Sequence, residues 1–208
     1  MLTAIGDVMR ECYRRNWITT RDGNCSLRRK NGDILYITPS GWRKTIIHPE
    51  HMIRIKINED KSLGIPEGAV PSGELQMHYN LQIPAKGVRA VVHAHPTHIV
   101  AAMYRGFDLQ EVAKQFVEIF RYTRVGPMVP ILPATTKQLG DATAKALGQA
   151  KPAEGPLKFD IVGQASHGVC AVAPDPWSAF EHIERLNHIC EIVLASGVTP
   201  AELMARKA

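Results

Sequence analysis

Apolar residues recur at helical spacing in the first part of the chain. Ile5, Val8, Met9 and Cys12 fall on one face of a 3.6-residue period, which predicts an amphipathic helix over residues 2–17 that packs on a core. From residue 24 the pattern changes to alternation. It predicts a hairpin of residues 24–29 and 33–38, which turns through Lys30-Asn31-Gly32, and the same alternation predicts a strand over residues 52–57.

The rest of the chain alternates helical and apolar segments irregularly, which is typical of a layered α/β domain. With 208 residues and no linker or internal repeat, we expect a single domain over residues 1–208. The predicted strands cover residues 88–93, 128–132, 159–162 and 169–173. The predicted helices cover residues 74–81, 109–121, 136–150 and 176–195, with a short helix from residue 200. A further helix is predicted between the strand over residues 88–93 and residue 103.

Composition and charge restrict the class of function. Hydrophobic residues make up 45% and charged residues 22%, an ordinary globular balance. The net charge of +5 is spread along the chain, and the one tight basic run, Arg28-Arg29-Lys30, carries no interleaved aromatic residues. These features argue against a nucleic-acid partner and favour a small anionic ligand.

The four cysteines are scattered without a C-x-x-C pair, so we expect reduced, mostly buried thiols. The N-terminus has no charged-then-apolar signal segment, and no apolar run has the length of a membrane span. We therefore expect a cytoplasmic protein with no membrane partner.

The most informative motif is His93-Ala94-His95. Side chains alternate between the two faces of a strand, so both imidazoles are expected on the same face, where they form half of a site for zinc or another divalent metal. Pro96 ends the strand and places the pair at the edge of the sheet. The alternative is that both are ordinary polar residues at a strand end.

A third ligand is needed, and the other seven histidines supply candidates. His167 stands out because Ser166-His167-Gly168 forms a tight turn between two apolar strands, from which a ring can point into a cleft. His182 and His188 are more simply explained as helix-face residues, and His98 as a substrate contact or a core polar group. Three histidines with an open fourth position are typical of catalytic zinc.

Glu74 follows Pro71-Ser72-Gly73 at a predicted helix start. A carboxylate there favours the helix dipole, which is sufficient explanation by itself, but beside a metal it can act as a base. The backbone N–H groups of Ser72 and Gly73 form a candidate anion site. Two similar turns, residues 23–26 and 38–41, are ordinary turns when taken singly, and Lys44 adds a cation.

Together these motifs resemble the class II aldolase/adducin family in identity and in order. The corresponding family segments read G-N-x-S, T-P-[ST]-G, P-S-S-E, H-x-H and H-G. In this chain they are Gly23-Asn24-Cys25-Ser26, Thr38-Pro39-Ser40-Gly41, Pro71-Ser72-Gly73-Glu74, His93-Ala94-His95 and His167-Gly168. The resemblance implies one three-layer α/β domain with a mostly antiparallel central sheet flanked by helices, assembled as a homotetramer with sites between subunits.

The resemblance also implies roles for individual residues. His93, His95 and His167 would hold zinc, and Glu74 would be the acid/base. The pocket for the substrate's phosphate would be lined by Asn24, Ser40, Gly41, Ser72 and Gly73. A ketose phosphate or related keto acid would then react through a metal-stabilised enediolate.

Two departures from the family pattern affect the predicted reaction. Gly73 replaces the second serine of P-S-S-E, which removes one side-chain contact to phosphate but leaves the N–H group. Residues 132–137 contain no tyrosine, whereas the aldolases carry a tyrosine general acid in that segment, and Tyr122 is a distant substitute. Lys44 and Arg43 are also compatible with a carboxylate in place of a phosphate.

The leading hypothesis is a zinc-dependent lyase that cleaves a C–C bond in a small phosphorylated ketose or keto acid. A second hypothesis keeps the site but changes the outcome to dehydration, decarboxylation or 4-epimerisation. A third is a non-catalytic adducin-like module, against which the intact set of Glu74 and three histidines argues.

Overall fold

The computed structural model of the chain describes residues 2–30, 32–149 and 155–206. The strands are β1 (Asn24–Arg28), β2 (Ile34–Ile37), β3 (Ile53–Ile57), β4 (Leu63–Gly64), β5 (Ala90–Ala94), β6 (Ile161–Gln164) and β7 (Gly168–Ala173). The helices are α1 (Thr3–Arg14), α2 (Leu75–Gln82), α3 (Thr97–Tyr104), α4 (Leu109–Lys114), α5 (Ile119–Tyr122), α6 (Lys137–Ala146), α7 (Pro176–Ala195) and α8 (Pro200–Ala205). Short 3-10 turns at Lys44–Ile46 and Pro49–His51 were not predicted.

The strands form a seven-stranded sheet in the order β4-β3-β2-β1-β5-β7-β6. Every pairing between neighbouring strands of this sheet is antiparallel. Strand β5 lies inside the sheet, next to the middle strand β1, and is bonded to β1 on one side and β7 on the other. The predicted mostly antiparallel central sheet is confirmed.

Helices cover both faces of the sheet, so alternate side chains of one strand pack into two different cores. Val92 and Ala94 of β5 pack in a cluster with α1, α3 and α7, whereas Val91 of the same strand packs with α2 and α6. This alternation is the two-residue period of a strand. All five residues of β5 are buried, so its end is held rigidly.

Several predicted elements need correction. Residues 128–132 are not a strand; Val129 makes an isolated bridge to Gln164, and Pro130 and Pro133 remove the N–H donors that a ladder requires. The predicted helix over residues 109–121 is two helices, because the i to i−3 bonds from Gln115 and Phe116 tighten the end of α4.

Two predicted elements include a residue outside the described part of the chain. These residues are Asn31, in the predicted hairpin turn, and Ala150, the predicted last residue of the helix over residues 136–150. The observed helix α6 ends earlier, at Ala146. In the described part of the chain, no helix combines the length and the apolar character needed to cross a membrane.

Candidate metal centre and substrate pocket

The three predicted histidines come together at one end of the central strands. His93 belongs to β5, His95 follows it, and His167 occupies the turn between β6 and β7. Because β5 and β7 pair antiparallel with Ala94 opposite Val169, the turn before β7 lies beside the end of β5. One ligand atom from each imidazole lies within 4.8 Å of the other two.

The imidazole geometry fits a metal ion. His93 Nδ1 lies 2.9 Å from the Val169 carbonyl oxygen, to which it donates, so Nε2 is the ring nitrogen that can face a metal. His93 Nε2 and His95 Nε2 are 3.0 Å apart, close to the roughly 3.3 Å edge that zinc–nitrogen bonds of about 2.05 Å give in a tetrahedron. Burial, together with the neighbouring imidazoles, lowers the pKa of His95 to about 4, which keeps the ring in its neutral, ligating form.

Glu74 places its carboxylate directly against these rings. Its Oε2 lies 3.4 Å from His93 Nε2 and its Oε1 lies 3.8 Å from His167 Nε2. Within the described residues, the buried Oε1 has no hydrogen-bond partner, so the lone pairs of this oxygen remain available beside the imidazoles. Burial alone would raise the pKa of Glu74, but His93 and the hydrogen bond from Asn24 outweigh burial, and the pKa is lowered.

A buried row of polar side chains runs from Glu74 into the protein. Asn24 Nδ2 donates to Glu74 Oε2 at 2.9 Å, and the Asn24 carbonyl lies 2.5 Å from His78 Nε2. His78 Nδ1 is 2.6 Å from Ser26 Oγ, which lies 2.8 Å from Gln82 Oε1. These contacts hold the side chain of Asn24, the first residue of β1, against helix α2.

Gly168 allows the two histidine-bearing segments to approach closely. A Cβ atom at this position would lie 2.4 Å from the Ala94 carbonyl oxygen and 2.6 Å from His95 Cδ2. Ser166, in the same turn, has a positive φ of 55°. The tight turn predicted from the sequence is therefore present, and it sets the position of His167.

One pocket contains all ten residues that the sequence assigned to the site. The sequence did not identify Arg21, Asp22, Ala134 and Thr135, which also line it. The ten predicted residues are Asn24, Ser40, Gly41, Lys44, Ser72, Gly73, Glu74, His93, His95 and His167.

Lys44 forms part of one wall of the pocket, and its side chain is almost fully buried. Its Nζ donates to the carbonyl oxygens of Arg21 and Trp42, each at 3.0 Å, which leaves one of three N–H donors for a ligand. Burial lowers the pKa of Lys44 to about 8, partly offset by Asp22.

Other sequence candidates lie away from this pocket. His98 meets Asn187 on helix α7 and is neither a pocket residue nor a buried core group. Tyr122 is half exposed between Arg121 and Arg185, and no tyrosine is found among the described residues that line the pocket.

Comparison with known proteins gives a consistent picture. Residues 3–194 match the family described as Class II Aldolase and Adducin N-terminal domain. The chain is 29% identical to a human methylthioribulose-1-phosphate dehydratase over 158 residues, which cover 70% of this chain and 64% of that protein. It is 25% identical over 188 residues to a 3-oxo-tetronate 4-phosphate decarboxylase from Pectobacterium atrosepticum, covering 89% of this chain and 79% of the relative.

A solved structure also matches along most of its length. The l-fuculose-1-phosphate aldolase from Thermus thermophilus superposes with a TM-score of 0.72 at 26% identity, covering 93% of this chain and 92% of that protein. The chain spans less than two thirds of the human dehydratase, so that protein's whole activity does not transfer directly.

Proposed function

Because the chain belongs to the class II aldolase and adducin family, we propose that it is a metal-dependent lyase acting on a small phosphorylated ketose or keto acid. One observation carries this proposal: three imidazoles and the Glu74 carboxylate converge in the pocket that the other predicted residues line. This arrangement also argues against a non-catalytic adducin-like module, which has no need of a convergent set of histidines and a buried base.

Each residue has a chemical role in the proposed reaction. His93, His95 and His167 would hold the metal, for which we propose zinc because three histidines are a common catalytic zinc set. A bound zinc ion supplies Lewis-acid polarisation of the substrate's carbonyl and hydroxyl oxygens. Glu74 is the proton-transferring group: its lowered pKa keeps it ionised near neutral pH, and its free Oε1 is able to accept a proton.

The opposite wall of the pocket suits an anionic group. Ser40, Gly41, Ser72 and Gly73 line the pocket with small or absent side chains. The N–H groups of Ser40 and Ser72 donate to the carbonyl oxygens of Val70 and Thr38, so the N–H groups that can face a phosphate are those of Gly41 and Gly73. Lys44 adds a positive charge with one N–H donor free of carbonyl partners. A phosphorylated substrate therefore fits with its anion on these turns and its carbonyl toward the histidines.

Dehydration or decarboxylation is a second candidate outcome beside C–C cleavage to an aldehyde. The described lining of the pocket has no tyrosine to act as a general acid in aldol cleavage. Two of the relatives are named as a dehydratase and a decarboxylase of phosphorylated substrates. Each outcome breaks a different bond to a carbon next to the carbonyl, but each leaves negative charge that the carbonyl oxygen takes up, so the same site serves any of them.

The proposal includes a homotetramer in the cytoplasm. The cytoplasmic location is supported by the cysteines, because Cys12, Cys25, Cys170 and Cys190 are all buried and free. Light scattering of the purified protein tests the oligomeric state.

A substrate panel with a matched variant tests the activity. Zinc-loaded wild-type protein is incubated with methylthioribulose phosphate, fuculose phosphate and an oxo-tetronate phosphate, and water loss, aldehyde and carbon dioxide are measured. Glu74→Gln keeps the shape of the carboxylate but removes the base, so we expect zinc to remain bound and turnover to fall at least ~100-fold. Full turnover by Glu74→Gln, or wild-type protein that binds no divalent metal, would contradict the proposal.

A further inference from the structure

Thr135 has an unusual backbone conformation for its residue type. Its φ is +62°, in the left-handed region that a β-branched side chain rarely adopts. Strained residues of this kind concentrate at ligand sites, where the surrounding structure holds them in place. Thr135 lines the same pocket as Glu74 and the three histidines.

The residues around Thr135 hold this conformation. The Thr136 hydroxyl donates to the Pro133 carbonyl at 2.8 Å and accepts from Leu139 N–H at 3.2 Å, so it caps helix α6. Helix α6 in turn packs closely on α2, since a Cβ atom at Gly140 would lie 3.2 Å from Met77 Cα. The start of α6 is thereby fixed against the start of α2, which follows Glu74.

Gly73 makes the space that Thr135 occupies. The backbone of Gly73 is not in the left-handed region, so its conformation does not require glycine. A Cβ atom at position 73 would lie 2.9 Å from Thr135 Cγ2 and 3.4 Å from Thr135 Cβ. A serine at position 73, as in the resembled P-S-S-E segment, is therefore incompatible with the observed threonine side chain, whose χ1 is stiff.

We propose that Thr135 binds the anionic group of the substrate, with its hydroxyl taking the place of the serine hydroxyl that position 73 lacks. In the described part of the chain the Thr135 hydroxyl has no hydrogen-bond partner, and the side chain is exposed to the pocket. This inference rests on the proposed phosphorylated substrate. It makes Gly73 and Thr135 a coupled pair that shapes the anion subsite.

Binding of inorganic phosphate to the zinc-loaded protein tests the role of the hydroxyl. Thr135→Val replaces the hydroxyl with a methyl group and keeps the β-branch, so the backbone strain is matched. We expect its phosphate dissociation constant to rise at least tenfold, with zinc content unchanged, whereas Thr135→Ser stays within about threefold of wild type. With a turned-over substrate, KM rises and kcat changes little. Equal phosphate affinity in Thr135→Val and wild type would overturn the proposal.

A double-mutant cycle tests the coupling between the two positions. Gly73→Ala is expected to lower the thermal midpoint and weaken phosphate binding, and Thr135→Ser in the same chain removes Cγ2 and recovers most of both losses. If the double mutant shows the sum of the losses measured in the two single variants, the two positions are not coupled and the pairing is refuted. Neither measurement needs turnover, so the inference can be tested even if the protein has no lyase activity. If the protein is an active lyase and Thr135→Val binds phosphate as tightly as wild type, only this inference is overturned and the proposed function stands.

Discussion

The Asn24 side chain joins Glu74 to His78 through two hydrogen bonds. Its amide nitrogen donates to Glu74 Oε2 at 2.9 Å, so its carbonyl oxygen must accept at the other end, where His78 Nε2 lies 2.5 Å away. His78 therefore carries its proton on Nε2. The ring is fully buried, and burial lowers its pKa to about 3, so it is neutral at working pH. His78 positions the base without touching the pocket.

Replacement of His78 is expected to disturb Glu74 rather than the metal. His78→Leu leaves the Asn24 carbonyl and the Ser26 hydroxyl without this partner, which costs about 1–3 kcal/mol of unfolding free energy. We expect kcat to fall about tenfold with zinc content unchanged. Because the Asn24 bond lowers the pKa of Glu74, the limb of the pH–rate profile that reports Glu74 should move to higher pH.

His78→Gln is the matched variant, since its amide can still donate toward Asn24. It should retain more activity than His78→Leu and a pH profile nearer to wild type. A leucine variant with a wild-type pH profile would show that His78 has only a packing role.

Removal of the histidines should abolish metal binding. His93→Ala and His95→Ala each leave two of three ligands, so we expect substoichiometric zinc by elemental analysis. At a free zinc concentration of about 100 times the dissociation constant, wild-type protein gains about 2.7 kcal/mol of stability, a gain these variants should lose. His188→Ala is the control, because that ring is exposed on helix α7. Full zinc content in either site variant contradicts the assignment.

A methyl group at Gly168 should displace the metal ligands. The Cβ of Gly168→Ala would lie 2.4 Å from the Ala94 carbonyl oxygen and 2.6 Å from His95 Cδ2, so backbone or ring must move. We expect a loss of about 1–3 kcal/mol in urea unfolding and weaker zinc binding. Gly155→Ala is the control, since none of the described atoms lies within 4 Å of its added Cβ. If both variants bind zinc equally, the close approach at Gly168 does not set the site.

The sequence was sufficient for the parts of the site that depend on local rules. Strand alternation placed His93 and His95 on one face, and Glu74 was visible as a carboxylate at a helix start. His78 carried a usable signal as well, because it follows Glu74 by four residues and so lies on the same helix face.

What the sequence could not provide depends on long-range pairing. His167 reaches the other histidines only because β5 pairs with β7 in the observed register. The segment predicted as a strand over residues 128–132 is an extended connection, and its apolar pattern gave no sign that Thr135 would adopt a left-handed conformation beside Gly73. That contact joins residues 62 positions apart, which no local pattern encodes.

The buried ammonium group of Lys44 should make both anion binding and stability depend on pH. Its pKa is about 8 in the folded protein and 10.5 ordinarily, so between these values the unfolded state binds more protons and stability rises with pH. Over the same range Lys44 loses its charge, so phosphate affinity should fall as pH rises above about 8.

Two experiments from about pH 7 to about pH 10 measure these pH dependences: isothermal titration gives the phosphate affinity, and urea unfolding gives the stability. Lys44→Met should flatten them, whereas Lys137→Met, an exposed control, should not. A wild-type phosphate affinity that stays constant through the pKa of Lys44 would show that its charge does not contact the anion.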